Sequence, residues 1–191
     1  MKKLFVVLLI LVLTLGSLVT FAEEQVVRIA ASANPHEILL NFVKDDLKAL
    51  GYDLQVTWVD GYVLQNPATS AGEYEANFFQ HRPYLNNYNE TVDEAGKLVA
   101  VIPVHYEPFG IYAGTKKSLD ELVDGDSIAV PNDPSNETRA LLLLQDAGLI
   151  VLPEGTDGNS TVTKLDVKPG KVKIEIVEVD AERLPATLED V

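Results

Sequence analysis

Cysteine is absent from the 191-residue chain. That excludes disulfides, thiol nucleophiles and a lipid-modified N-terminal cysteine, so the apolar core must supply the stability. Positive charge is scarce: 15 Lys and Arg face 29 Asp and Glu, for a formal net charge of −14. A chain that acidic repels phosphate backbones and anionic headgroups, and no nucleic-acid role is expected. Internal repeats and low-complexity tracts are missing. So are the HExxH helix, the GxSxG elbow and the Walker loop, and no enzyme chemistry is expected. The three histidines, His36, His81 and His105, show no metal-ligand spacing. Neither a metal nor a cofactor is therefore expected. Asp124-Gly125-Asp126 lacks the further oxygen ligands of a calcium loop and reads as a turn.

Long apolar runs are also few; there is one. Lys2 and Lys3 precede an uncharged stretch from Leu4, and Thr20-Phe21-Ala22 stands before Glu23. This pattern predicts an export signal over residues 1–22, cut after Ala22. The alternative is an uncleaved anchor, since Leu4 to Ala22 is just long enough to span a bilayer. Gly16, Ser17 and Thr20 interrupt the run where a cleavage region belongs and favour the signal. The product is then extracytoplasmic, in the periplasm or at the cell surface. Residues 23–191 suffice for one domain with a real core, or two small ones.

Short β-prone runs alternate with helical patterns along the rest. Strands are predicted at Val26–Ala31, Asp53–Val59, Glu75–Phe79, Leu98–Val104, Phe109–Ala113, Ser127–Val130 and Val172–Val179. Helices are predicted at Pro35–Leu50 with Gly51 as its stop, weakly at Tyr62–Ala71 across Pro67, and at Arg82–Val92 with Pro83 in the first turn. Ser118-Leu-Asp-Glu121 has the capping-box pattern. Asn136–Ala147 is a strong helix, with Ser135 as N-cap and Gly148 as C-cap. Ala181–Leu188 reads as one more helix. The alternation predicts an α/β fold with largely parallel sheets, whose ligands sit beyond the carboxyl ends of the strands.

Two segments carry the candidate chemistry. NFFQHRPYL, residues 77–85, gathers Phe78, Phe79, His81 and Tyr84, an aromatic and polar-tipped set suited to a pocket wall. PNDPSNETRALLLL places Asn136 and Arg139 three apart at a helix start, on one face and near free backbone N–H groups. An arginine fork there is a receptor for a carboxylate. Together the two suit an apolar amino acid.

EANFFQHRPYL, VHYEPFGIYAG and IAVPNDPSNETRALLLLQDAGLI resemble the methionine-binding proteins of ABC importers, the MetQ/NlpA lipoprotein family. The resemblance runs nearly colinearly from Val26 to Val191. It implies a type II periplasmic-binding-protein fold of two α/β lobes joined by crossover strands. Residues 23–108 would form the first lobe, incomplete, and 109–191 the second. It implies a solute-binding protein that captures L-methionine, or a close relative, and delivers it to a membrane permease with its ATPase. Matching positions imply that Tyr62, Phe79, His81 and Tyr84 line the side-chain pocket and that His105 belongs to the crossover. Asn136 and Arg139 would hold the ligand's carboxylate and amino group. Three departures stand out. The family's lipobox cysteine has no counterpart. LPATLEDV, at the end of the chain, falls where the family continues with a strand, the return hinge and a segment completing the first lobe. The spacing around DGYVLQNP differs. Competing readings are a binding protein for another apolar amino acid or a methionine-containing dipeptide, a secreted metal-dependent hydrolase using the histidines, and a nonfunctional fragment.

Overall fold

The computed structural model describes residues 24–191, so the export-signal reading lies outside the described residues. Strand β1 (Gln25–Ala31) runs into a kinked turn, Ala33–Glu37, and then helix α1 (Ile38–Ala49). Gly51 follows at φ +89°, a left-handed conformation that glycine adopts without steric penalty and that ends the helix. Strand β2 (Tyr52–Trp58), helix α2 (Gln65–Ser70), strand β3 (Ala76–Phe78) and helix α3 (Arg82–Thr91) complete the first unit. Its sheet has the order β2-β1-β3 and is wholly parallel, with Gln25 opposite Tyr52 and Ile29 opposite Ala76. Ala30, Ala31, Leu54, Phe79 and Leu85 are buried there. An extended connecting segment leads to β4 (Ser127–Pro131) and helix α4 (Pro134–Asp146). β4 pairs in parallel with β7 (Glu175–Val179), Ser127 opposite Glu175. Two-residue strands β5 (Ile150–Val151) and β6 (Lys168–Pro169) pair antiparallel. The second core gathers Val130, Leu141, Leu144, Leu149, Ile150 and Val162. No helix among the described residues is long and apolar enough to cross a membrane.

The α/β class and the largely parallel sheets are as expected from the sequence. Several elements differ. Leu98–Val104 and Phe109–Ala113 are not strands; they run extended without sheet partners, and Val99, Val101, Ile102 and Tyr112 are exposed. Their β-branched composition suits a sheet, but they pair with no strand among the described residues. Pro67 does not interrupt a helix: it lies in the first turn of α2, where backbone N–H groups have no intrahelical acceptor. Helix α4 begins earlier than expected, capped by Asp133, whose carboxylate accepts from the Asn136 N–H at 3.0 Å. Pro134 at its first turn fixes that start and places Ser135 inside the helix. Ser118 precedes only the short turn Leu119–Glu121 and makes no side-chain cap bond; Glu121 accepts instead from the Lys117 N–H. Ala181–Thr187 is a 3-10 run rather than an α-helix, with Pro185 inside it. α1 forms as its spacing predicts, yet Ile38 and Phe42 on it, and Leu50 just after it, are exposed.

Candidate functional site

The carboxyl ends of β1, β2, β3, β4 and β7 each feed a turn, and those turns carry the candidate residues. β1 leads to Ser32 and His36, β2 to Tyr62, β3 to Phe79 and His81, and β4 to Asp133 and Asn136. β7 leads to Asp180 and Glu182. This is where ligands bind in open parallel sheets, because several loops converge there. All seven residues expected from the sequence, Tyr62, Phe79, His81, Tyr84, His105, Asn136 and Arg139, line one cleft of about 1910 Å³.

Tyr62, Phe79 and Tyr84 pack against each other, with ring centroids 5.7, 6.0 and 5.5 Å apart. Two of the three contacts are edge-on, the arrangement that ring quadrupoles favour. Burial, reinforced by the negative charge of Asp133, pushes the Tyr84 hydroxyl up to about 12. Tyr62 is raised by burial and then by Glu182. Both phenols therefore stay neutral at physiological pH. His81 opens α3, and its imidazole is held below its ordinary value by burial first and by the Arg139 cation second. Its Nε2 is buried and has no hydrogen-bond partner among the described residues.

The polar residues between these rings do structural work. Asn66, from α2, and Gln80 exchange bonds of 2.9 and 2.6 Å between their side-chain amides. The Asn77 amide donates to Asn66 Oδ1 at 3.0 Å and to Thr69 Oγ1 at 2.9 Å. Asn66 is fully buried, so an unmet amide there would be costly, and the closed network fixes the loop from Phe79 to His81.

Across the cleft, Arg139 Nη1 donates to Asn136 Oδ1 at 3.0 Å. Its Nη2 donates to the Glu107 carbonyl at 3.1 Å, and its guanidinium lies 4.3 Å over the Phe109 ring. Asn136 Nδ2 in turn donates to the Asp133 carboxylate at 3.1 and 3.0 Å. The guanidinium is thus aimed before any ligand arrives, and only two of its five N–H donors are engaged by these bonds. Tyr62, Tyr84, Asp133, Asp180 and Glu182 also border a smaller space of about 320 Å³ between the two units.

His105 turns toward a different group. Its Nε2 lies 2.7 Å from Glu107 Oε1, and its ring sits 5.0 Å from His36 and 5.6 Å from Phe78. His36 is buried, which lowers its pKa; the Glu107 carboxylate opposes that shift in part, and the neighbouring His105 adds to it. Sequence reasoning singled out neither Glu107, Asp133 nor Phe109. Asp133 carried a usable signal, an N-cap residue directly before a proline; Glu107 and Phe109 are gathered only by the fold.

The family model described as NlpA lipoprotein matches residues 27–191. The chain is 46% identical over 140 residues to the D-methionine-binding lipoprotein MetQ of Escherichia coli, covering 73% of this chain and 50% of that protein. It thus spans about half the length of the curated relatives it matches. Among solved structures it superposes with TM-score 0.78 on the methionine-binding protein MetQ, at 38% identity, over 87% of this chain and 66% of that one. A nutrient-binding protein from Burkholderia cenocepacia bound to methionine gives TM-score 0.78 and 37% identity, over 86% and 68%.

Proposed function

The chain belongs to the NlpA lipoprotein family, and from that premise we propose that it is an extracytoplasmic solute-binding protein for methionine or a close relative, serving an ABC importer. One observation carries the reading most: two complementary halves of an amino-acid receptor line the same cleft, one from each sheet unit. Arg139, held in place by Asn136, receives the carboxylate on the guanidinium donors left free. The Asp133 carboxylate and its acidic neighbours favour the ammonium. Tyr62, Phe79 and Tyr84 present edges and faces to the side chain, which suits a polarizable thioether. His81 contributes its Nε2 to the same wall. His105, at the connecting segment, shapes the floor. The two units act as lobes, residues 23–108 and 109–191, that close on the ligand; the closed form is what a permease and its ATPase recognise. The role requires no covalent step.

The test is a thermal-shift titration of the chain with L-methionine, D-methionine, leucine and glycine. A ligand that binds only the folded state stabilises it by about 2.7 kcal/mol at a hundredfold excess over its dissociation constant. A methionine-selective rise in melting temperature is expected. Equal shifts with leucine would assign the cleft to apolar amino acids generally. A cooperative melt indifferent to all four would overturn the reading.

A further inference from the structure

Besides the aromatic wall and the arginine fork, the cleft holds a group whose chemistry an amino-acid ligand leaves unexplained. His36 comes from the turn after β1, while His105 and Glu107 come from the connecting segment. One ligand atom from each lies within 4.8 Å of the other two. Glu107 Oε1 is 2.7 Å from His105 Nε2 and 3.9 Å from His36 Nε2. In a tetrahedral shell with metal–ligand bonds of about 2.0–2.1 Å, ligand atoms stand about 3.3–3.4 Å apart. The two observed separations bracket that value.

The surroundings fit as well. A ligating imidazole needs its second ring nitrogen held by an outer partner. His36 Nδ1 has one in Ser32 Oγ at 3.0 Å, which leaves Nε2 for the carboxylate side; His105 Nδ1 has none among the described residues. Phe78 packs edge-on against both imidazoles, at 4.6 and 5.6 Å, and excludes water from that side. The Glu107 side chain is about half exposed and leaves a path of entry.

We propose that His36, His105 and Glu107 form a binding site for a divalent transition metal of the zinc class, with a fourth position open to the cleft. Two imidazoles and one carboxylate suit zinc, cobalt or nickel over the oxygen-seeking calcium and magnesium. A bound ion would tie the connecting segment to the turn after β1. The Glu107 carbonyl accepts from Arg139, so occupancy would also steady the arginine that faces an amino-acid ligand.

The experiment takes the untagged chain, stripped with chelator, and titrates it with zinc chloride by calorimetry in salt and excess magnesium. Those conditions suppress adventitious binding to the acidic surface. Cobalt chloride is added in parallel, and the visible bands of a low-coordinate nitrogen–oxygen site are recorded. One zinc per chain is expected, and His105→Gln and Glu107→Gln each weaken it at least ~tenfold. Both positions are partly exposed, so both variants keep the wild-type melt without metal; the buried His36 is left intact. Absence of saturable zinc binding, or zinc binding by either variant as tight as by wild type, would overturn the site and leave Glu107 as a hydrogen-bond acceptor for His105. The readout needs no methionine, so its failure is distinguishable from failure of the transport reading.

Discussion

Replacing Arg139 with alanine removes four things at once: the donors facing the proposed carboxylate, the bonds to Asn136 Oδ1 and to the Glu107 carbonyl, and the cation over Phe109. The effects separate by assay. A hydrogen bond to a charged group contributes about 1.5–3 kcal/mol, and a cleft open to water on one side keeps the value from rising further. A loss of about 2–3 kcal/mol of methionine affinity is therefore expected, which is ~30- to 150-fold in the dissociation constant. Arg139→Lys keeps the charge but loses the planar fork, and it falls between wild type and alanine. Folding stability drops by a smaller amount, about 1–2 kcal/mol, from the lost carbonyl bond and the lost ring contact. For a domain of this size each kcal/mol corresponds to about 2–4 °C in melting temperature. Calorimetric titration with methionine, run well below the melt, isolates the first effect, and a thermal scan without ligand measures the second. If the alanine variant bound methionine within about threefold of wild type, Arg139 would not be the carboxylate receptor, and the pose built on it would be wrong.

Two further outcomes follow from the packing and the ionisation. Leu141 is fully buried in the second core, so Leu141→Ala should cost about 2–5 kcal/mol in chemical denaturation; a loss under about 1 kcal/mol would mean that core collapses around the gap. Tyr62 and Tyr84 should titrate above the ordinary phenol value, followed by absorbance at 295 nm. Their folded values lie above the unfolded value of about 10, so the stability they contribute is present below pH ~10 and is lost as pH rises through the folded values, about 12 for Tyr84. Tyr84→Phe should remove the latest phase, and an unchanged titration curve would refute the assignment.

Much of the architecture is readable from local pattern. β1, β2 and β4 are short apolar runs closed by turn residues, and α4 follows from ALLLL behind a capping cluster. The aromatic wall was legible too, because NFFQHRPYL is compact in sequence and its chemistry survives any small error in element boundaries. Other features are set by what lies elsewhere in the chain. LVAVIPV has strand composition, but a strand exists only with a partner, and pairing is not written in a window of seven residues. In α4 both Asp133 and Ser135 are good N-caps, and the intervening proline decides between them. His36 stands far from His105 and Glu107 along the chain, and no spacing rule joins them. The parallel sheet places the turn after β1 beside the connecting segment, and that juxtaposition is what makes the trio.

The unpaired run Leu98–Val104 has a consequence for how the chain behaves in company. It carries no charge; Leu98 is bonded to the Asn89 side chain through both its N–H and its carbonyl, and from Val99 on the exposed valines and isoleucine flank a row of backbone groups with no sheet partner among the described residues. Such a row is a template on which a second chain can add as a strand, the first step toward a stacked aggregate. Lys97 on one side acts as a gatekeeper, and Pro103 removes one donor from the edge. The longest open stretch free of both is Val99 to Ile102, short for a fibril-forming segment. Where this run is uncovered, the chain is thus expected to lose solubility with concentration before it loses its fold.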